Sequence, residues 1–242
     1  MKYIYILIPL IFLFSCDGDD DGSKISEDFT NFIDAKSLRI YAKDDVSSGF
    51  LNNVGKSYEA MFTDNSSINE SMREHYISIS KEENVYQRVG LEASFNKNES
   101  YAGGFPPRPF RHNVTDYIWE MDTGGKDQIG EVIEHLLHTV TTVILYLAYP
   151  NEWDYNNSSS ALSLAMQEAI DKGIYDISSY EDIKSDKEGY NKVLTQEYAY
   201  WLILAEWDYY VVADKKQDGI SGNEEFIIGT PDEIESQLPL GH

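Results

Sequence analysis

The sequence predicts an α+β fold, with a small N-terminal sheet and its helices followed by a mainly helical C-terminal half. Three observations carry this. Short alternating stretches at 38–42, 85–93 and 117–121 read as strands, and all lie in the first part of the chain. Two long segments with apolar residues at helical spacing, 126–149 and 189–212, lie in the second part. The 242 residues are 42% hydrophobic and 13% aromatic, enough for one domain with a real core. No internal repeat is visible.

The chain starts with one cation, Lys2, before an apolar run from Tyr3 to Phe14. That run has the length of a signal-peptide core and falls short of the roughly 20 residues that span a bilayer. It ends in Leu13-Phe14-Ser15-Cys16, which resembles the lipobox of bacterial lipoproteins. The resemblance implies removal of residues 1–15 and lipidation of Cys16 as the mature N-terminus. Phe14 departs from it, since a smaller residue is commoner there. Cys16 is the single cysteine, so no intrachain disulfide can form. The run Asp17-Gly18-Asp19-Asp20-Asp21-Gly22 is too polar to pack and opens a solvated tether expected over residues 16–35. It resembles the acidic export tag of Bacteroidetes-type surface lipoproteins, which implies an outer-membrane protein exposed on the cell surface. In other Gram-negative groups an aspartate directly after the cysteine implies inner-membrane retention, so the leaflet stays open.

The domain is then expected over residues 36–242. Leu38–Ala42 alternates as a strand. Ser47-Ser48-Gly49 offers a helix start, and Phe50, Leu51, Val54, Tyr58, Met61 and Phe62 follow on one helical face. A weaker helix spans 68–79, and VYQRVGLEA, residues 85–93, reads as a strand. Residues 101–113 hold Gly103-Gly104, Pro106-Pro107 and Pro109, which exclude regular structure. Their interleaved Phe105, Arg108, Phe110 and Arg111 suit a loop packed on the domain by its aromatics, with a cleft lining as the sharper alternative. Tyr117–Met121 is another strand, closed by Asp122-Thr123-Gly124-Gly125.

Residues 126–149 form the strongest helix, apolar nearly all round in its last two turns and stopped by Pro150. The ionisable groups in its first half speak against a membrane span. Further helices are expected over 159–172, stopped by Gly173, and over 189–212. The tail is turn-rich. Within it, Asp214 to Glu225 has the outline of a calcium loop, but Lys216 stands where an oxygen ligand belongs, and a plain turn is the better reading. The chain closes on Pro239-Leu240-Gly241-His242 with no obvious stop, so a C-terminal portion could be missing.

Chemistry concentrates in Glu131-Val132-Ile133-Glu134-His135-Leu136-Leu137-His138. Positions three and four apart share a helix face, so Glu131, Glu134, His135 and His138 converge. The helix then enters the core, where unpaired polar groups are costly, and a shared cation would satisfy all four. Imidazole and carboxylate suit Zn²⁺. Two arrangements are open. Glu134 and His138 could ligate, with His135 as base or supporting group. Alternatively His135 and His138 ligate, with Glu131 or Glu134 as base. Two imidazoles make the better zinc site, which favours the second, with Glu134 as the catalytic base. Glu197, flanked by apolar and aromatic residues in the 189–212 helix, is the candidate third ligand; Glu206 falls on another part of that helix. Tyr198 or Tyr200 could face an oxyanion. His75 and His112 are isolated and read as surface histidines.

The segment resembles the zincin metallopeptidases, whose His-Glu-x-x-His motif lies on a buried helix after an edge strand. The resemblance covers roughly residues 37–212 in outline, and only the short motif is specific. By position, Glu134 replaces the first histidine ligand, His135 replaces the glutamate base, and only His138 matches in kind. The expected function is thus a lipid-anchored, zinc-dependent, metallopeptidase-like hydrolase acting on a peptide or protein. The alternative is a non-catalytic surface lipoprotein that binds a ligand or partner, its Glu/His face a structural polar cluster. The formal charge of −23 excludes nucleic acid as a partner and leaves membrane attachment to the lipid.

Overall fold

The sheet opens with a hairpin that the tether reading passed over. The computed structural model describes residues 29–62, 68–107, 109–110, 112–114, 116–209 and 225–242, so Cys16 and the acidic run lie outside the described residues. Within the stretch expected as tether, Asn31–Ala35 forms β1, antiparallel to β2 at Leu38–Ala42. Lys36 makes the tight turn at φ 51°, with neither glycine nor asparagine to signal it. β2 pairs in parallel with β3 (Tyr86–Leu91), and β3 in parallel with β4 (Tyr117–Glu120). The described strands therefore run β1-β2-β3-β4, with β4 at an edge. The chain turns into helix after β3, so α3 (Glu92–Phe95) takes the end of the stretch expected as strand.

Helices α1 (Ser48–Ala60) and α2 (Glu70–Glu82) cross over from β2 to β3. Both begin at side-chain caps: Ser47 Oγ accepts the Phe50 N–H, and Asn69 Oδ1 accepts the Met72 N–H. Leu51, Val54 and Tyr58 pack in one core with Ile40, Ala42, Val89 and Ile118 of the sheet. Gly55 lets α1 approach β1, since a Cβ there would meet Ile33 Cδ1 at 2.3 Å. A second cluster is aromatic: Phe29, Tyr41, Tyr86 and Tyr117. The loop after β3 packs on it through Phe110, edge-on to Tyr41 at 5.5 Å, as the packed-loop reading expects, and Lys43 Nζ donates to Gly103 O and Arg88 to Gly104 O.

Helix α4 (Gly125–His138) follows β4 after a turn at Gly124 and Gly125, both at positive φ. It runs on without a break through a π-helical segment, Thr139–Leu145, into α5 (Tyr146–Ala148). The wide turn shows in the Tyr146 N–H, which reaches back five residues to Thr141 O. Thr141 and Thr142 hydroxyls donate to the carbonyls of Leu137 and His138, each at 2.8 Å. Asp127–Ala148 is long and apolar enough to cross a membrane, yet it sits between two cores of the domain. Val132, Leu136, Val143 and Ile144 join the sheet core, while Leu137 joins the C-terminal one.

That second core comprises α7 (Ala161–Asp171), α8 (Lys187–Glu206) and α9 (Pro231–Gln237), with the short α6 (Pro150–Trp153) leading in. α8 stops before the expected residue 212, because Asp208 turns left-handed at φ 51°. α9 lies in the tail read as turns; a full capping box, Thr230 with Glu233, and Pro231 in the first turn start it.

Candidate metal centre

Helix α4 is bonded to the outer edge of β4, and this sets the rotation of its polar face. Glu131 Oε1 accepts the Trp119 N–H at 2.9 Å. Gln128 Oε1 accepts the Met121 N–H at 2.7 Å, and its Nε2 donates to Trp119 O at 2.8 Å. Glu131 also fixes His135, whose Nδ1 lies 2.9 Å from the Glu131 carbonyl oxygen and 3.5 Å from its carboxylate. With Nδ1–H donating to that carbonyl, the lone pair of His135 rests on Nε2.

His138 lies at the centre, only 1% exposed. Its Nδ1 faces Asp116 Oδ2 at 3.5 Å and the carboxamide nitrogen of Gln196 at 3.1 Å. Its Nε2 faces Glu197 Oε1 at 3.5 Å and makes no hydrogen bond among the described residues. Gln196 Nε2 donates to Asp116 Oδ2 at 3.3 Å, and Gln196 Oε1 accepts from Thr142 at 3.3 Å. Gln87, buried on β3, donates to the Asp116 carbonyl at 3.1 Å and accepts from the Thr139 hydroxyl. Among the described residues, two trios of potential metal ligands share His138: Asp116 with His135, and Glu134 with Glu197. Within each trio the ligand atoms lie within 4.8 Å of one another.

The electrostatics show a surplus of negative charge on the Nε2 side. Burial pushes the Glu134 carboxyl up to about 7; His135 pulls it down, and Glu197 pushes it further up. Burial likewise raises Glu225 to about 7, opposed by the Tyr180 hydrogen bond and reinforced by Glu197 and Glu134. Tyr180 Oη donates to Glu225 Oε1 at 2.5 Å. For His138, burial lowers proton affinity, but Glu197 and Asp116 outweigh it and raise the imidazole to about 10. His135 is also raised, Glu131 and Glu134 overcoming its burial. Asp116 is held well below the carboxylate range: burial pushes it up, but the His138 hydrogen bond and the charges of His135 and His138 win.

The residues expected from the sequence thus meet, though not as one set. His138 is common to both trios; His135 goes with Asp116, and Glu197 goes with Glu134. Glu206 lies elsewhere, paired with His242 at 3.0 Å. Tyr200 presents its ring edge-on to His138 at 6.0 Å, whereas Tyr198 packs with Tyr175 and Phe226. His75 approaches the Ala148 carbonyl, and His112 lies 3.4 Å from Glu83. Most of the calcium-like loop lies outside the described residues; Glu225, its last position, joins the acidic side of the centre.

Asp116 and Gln196 were not anticipated. The only signals were a carboxylate just before an edge strand and an amide beside a half-buried glutamate. Comparison of the chain with protein families, curated proteins and solved structures finds no match.

Proposed function

We propose that this protein is a lipid-anchored surface hydrolase whose α4–α8 junction binds Zn²⁺ through Glu134, His138 and Glu197. The observation that carries the reading is His138 Nε2, a buried imidazole nitrogen that makes no hydrogen bond among the described residues and faces the Glu197 carboxylate, with the Glu134 carboxylate in the same trio. Such an atom is costly unless something fills the gap. The raised Glu134 and Glu225 point the same way, since burial and the neighbouring Glu197 both disfavour their charged forms and a cation would offset this. One imidazole and two carboxylates form a harder donor set than the two imidazoles expected from the sequence, but each is a ligand type that Zn²⁺ takes, and three of them leave a position for water. The spacing also fits the zincin resemblance by position: Glu134 and His138 are four apart on α4, and Glu197 comes from a later helix.

Bound there, Zn²⁺ would polarise a carbonyl and acidify a water molecule. His135 then takes the place of the general base. Its Nδ1 is held by the Glu131 carbonyl, so Nε2 is the nitrogen that accepts the proton. Strand addition at Trp119 and Met121 contributes nothing, because α4 already holds those backbone groups. Elemental analysis of the purified protein tests the reading; one equivalent of zinc, removed by chelator, is expected.

A second reading rests on the same histidine. An imidazolium at His138 between Asp116 and Glu197 would close the charge balance without a metal, leaving a structural cluster in a non-catalytic surface lipoprotein. Absence of metal after zinc is supplied would select it.

A further inference from the structure

We propose that Asp116 is a positioning residue for His138, holding Nδ1 so that Nε2 is presented to the cation; this rests on the metal reading above. A neutral imidazole has one proton and one lone pair, and the group facing one nitrogen decides what the other can do. Asp116 Oδ2 lies 3.5 Å from Nδ1, on the side of the ring away from Glu197. It can accept an Nδ1 proton, which leaves the lone pair on Nε2, the nitrogen that faces Glu197.

Asp116 is itself fixed at both ends. Its carbonyl accepts from Gln87, a fully buried residue of β3. Its carboxylate accepts from Gln196, which in turn accepts from Thr142. Thr142, in the π-helical segment, shares its single hydroxyl proton between Gln196 Oε1 and the His138 carbonyl, the latter the shorter contact at 2.8 Å. Asp116, Gln196, Thr142 and His138 therefore close a ring of contacts through the entrance to β4, α8, the π-helical segment and the end of α4. Gln196 is the sequence neighbour of Glu197, so the helix that supplies a ligand also steadies the carboxylate behind the other ligand. The Gln196 amide nitrogen, 3.1 Å from Nδ1, could donate to it only in the other tautomer; with the Nδ1 proton in place it donates to Asp116 alone.

The test is zinc titration of the full mature chain against a chromogenic chelator, together with imidazole ¹⁵N spectra of the zinc-loaded protein. Asp116→Asn should weaken zinc binding about 10–100-fold, the usual effect of losing such a partner. Asp116→Glu should recover part of the loss, and the circular dichroism of both variants should match wild type. His135→Ala should leave zinc affinity unchanged. In the loaded wild type, His138 should show a protonated Nδ1 and a metal-bound Nε2. Unchanged affinity in Asp116→Asn overturns the proposal. So does a metal-bound Nδ1, or loss of zinc in His135→Ala, because either places the cation in the Asp116–His135 trio with Asp116 as a ligand. If the wild type takes up no zinc, the metal reading fails first and this role with it, an outcome distinct from zinc bound normally by both wild type and Asp116→Asn.

Discussion

Asp116 and Glu197 face opposite nitrogens of the His138 imidazole, each at 3.5 Å, one from the entrance to β4 and the other from α8. The histidine is thereby tied to both halves of the domain. It sits where α4 leaves the sheet and enters the C-terminal core.

Glu134 and His135 should separate by role. Glu134→Gln is expected to lose zinc, because it removes one ligand charge from a trio of three. His135→Ala should keep the metal and lose at least 100-fold in hydrolysis, on the order of a general base's contribution. Metal content and turnover of a model peptide, measured in parallel, check this. Zinc retained in Glu134→Gln with hydrolysis abolished would return Glu134 to the role of base.

The metal-free protein should lose stability as pH rises. Glu134 and Glu225 ordinarily titrate at 4.5 but at about 7 when folded, so the fold favours their neutral forms and its advantage falls between those values. His138 is raised from 6.5 to about 10, so its contribution is complete below pH 6.5 and is lost through about pH 10. All three act in the same direction. Melting temperatures in chelator should therefore fall from pH 5 to pH 9, and Glu134→Gln should flatten the lower part of the curve. With zinc the trend should weaken or reverse, since binding needs deprotonated ligands.

Glu131 should matter for the fold as well as the site. Its carboxylate accepts the Trp119 N–H, and its removal strands that donor. Glu131→Ala should cost about 1–3 kcal/mol in denaturant unfolding and speed hydrogen exchange at Trp119. Normal protection of that amide in the variant would show that the α4–β4 contact does not hold the edge.

Export is expected to depend on Cys16. Cys16→Ala should abolish lipid labelling and release the protein from membranes, because the formal charge of −23 opposes electrostatic adhesion. Replacing Asp19, Asp20 and Asp21 with Ala should reduce exposure to external protease while leaving the melting temperature unchanged. Membrane retention of Cys16→Ala after a salt wash would contradict lipid anchoring.

The class of fold was legible because its strands and helices have clear periods. Leu38–Ala42 alternates, and α4 and α8 carry apolar faces long enough to recognise. β1 was hidden because NFIDA follows a polar run and its turn uses Lys36-Ser37, which lacks the usual hairpin signal. α9 was hidden because seven residues are too few for periodicity, although its capping box was present. In the site, helical spacing brought out Glu131, Glu134, His135 and His138, and Glu197 stood out as a carboxylate in an apolar helix. Which of them meet could not be read, because helical spacing places side chains on a face but does not say which nitrogen of His138 points where. Asp116 and Gln196 depend on contacts across 22 and 58 residues of chain to His138, beyond the reach of any local pattern.

The most direct test of the central claim is the stoichiometry of zinc in purified mature protein, by elemental analysis before and after dialysis against chelator and again after zinc is restored. One tightly held equivalent is expected in the wild type, lost in a His138→Ala variant. No stoichiometric metal in the wild type, and none taken up from added zinc, would contradict a metal centre and leave His138 as an imidazolium clamped between Asp116 and Glu197.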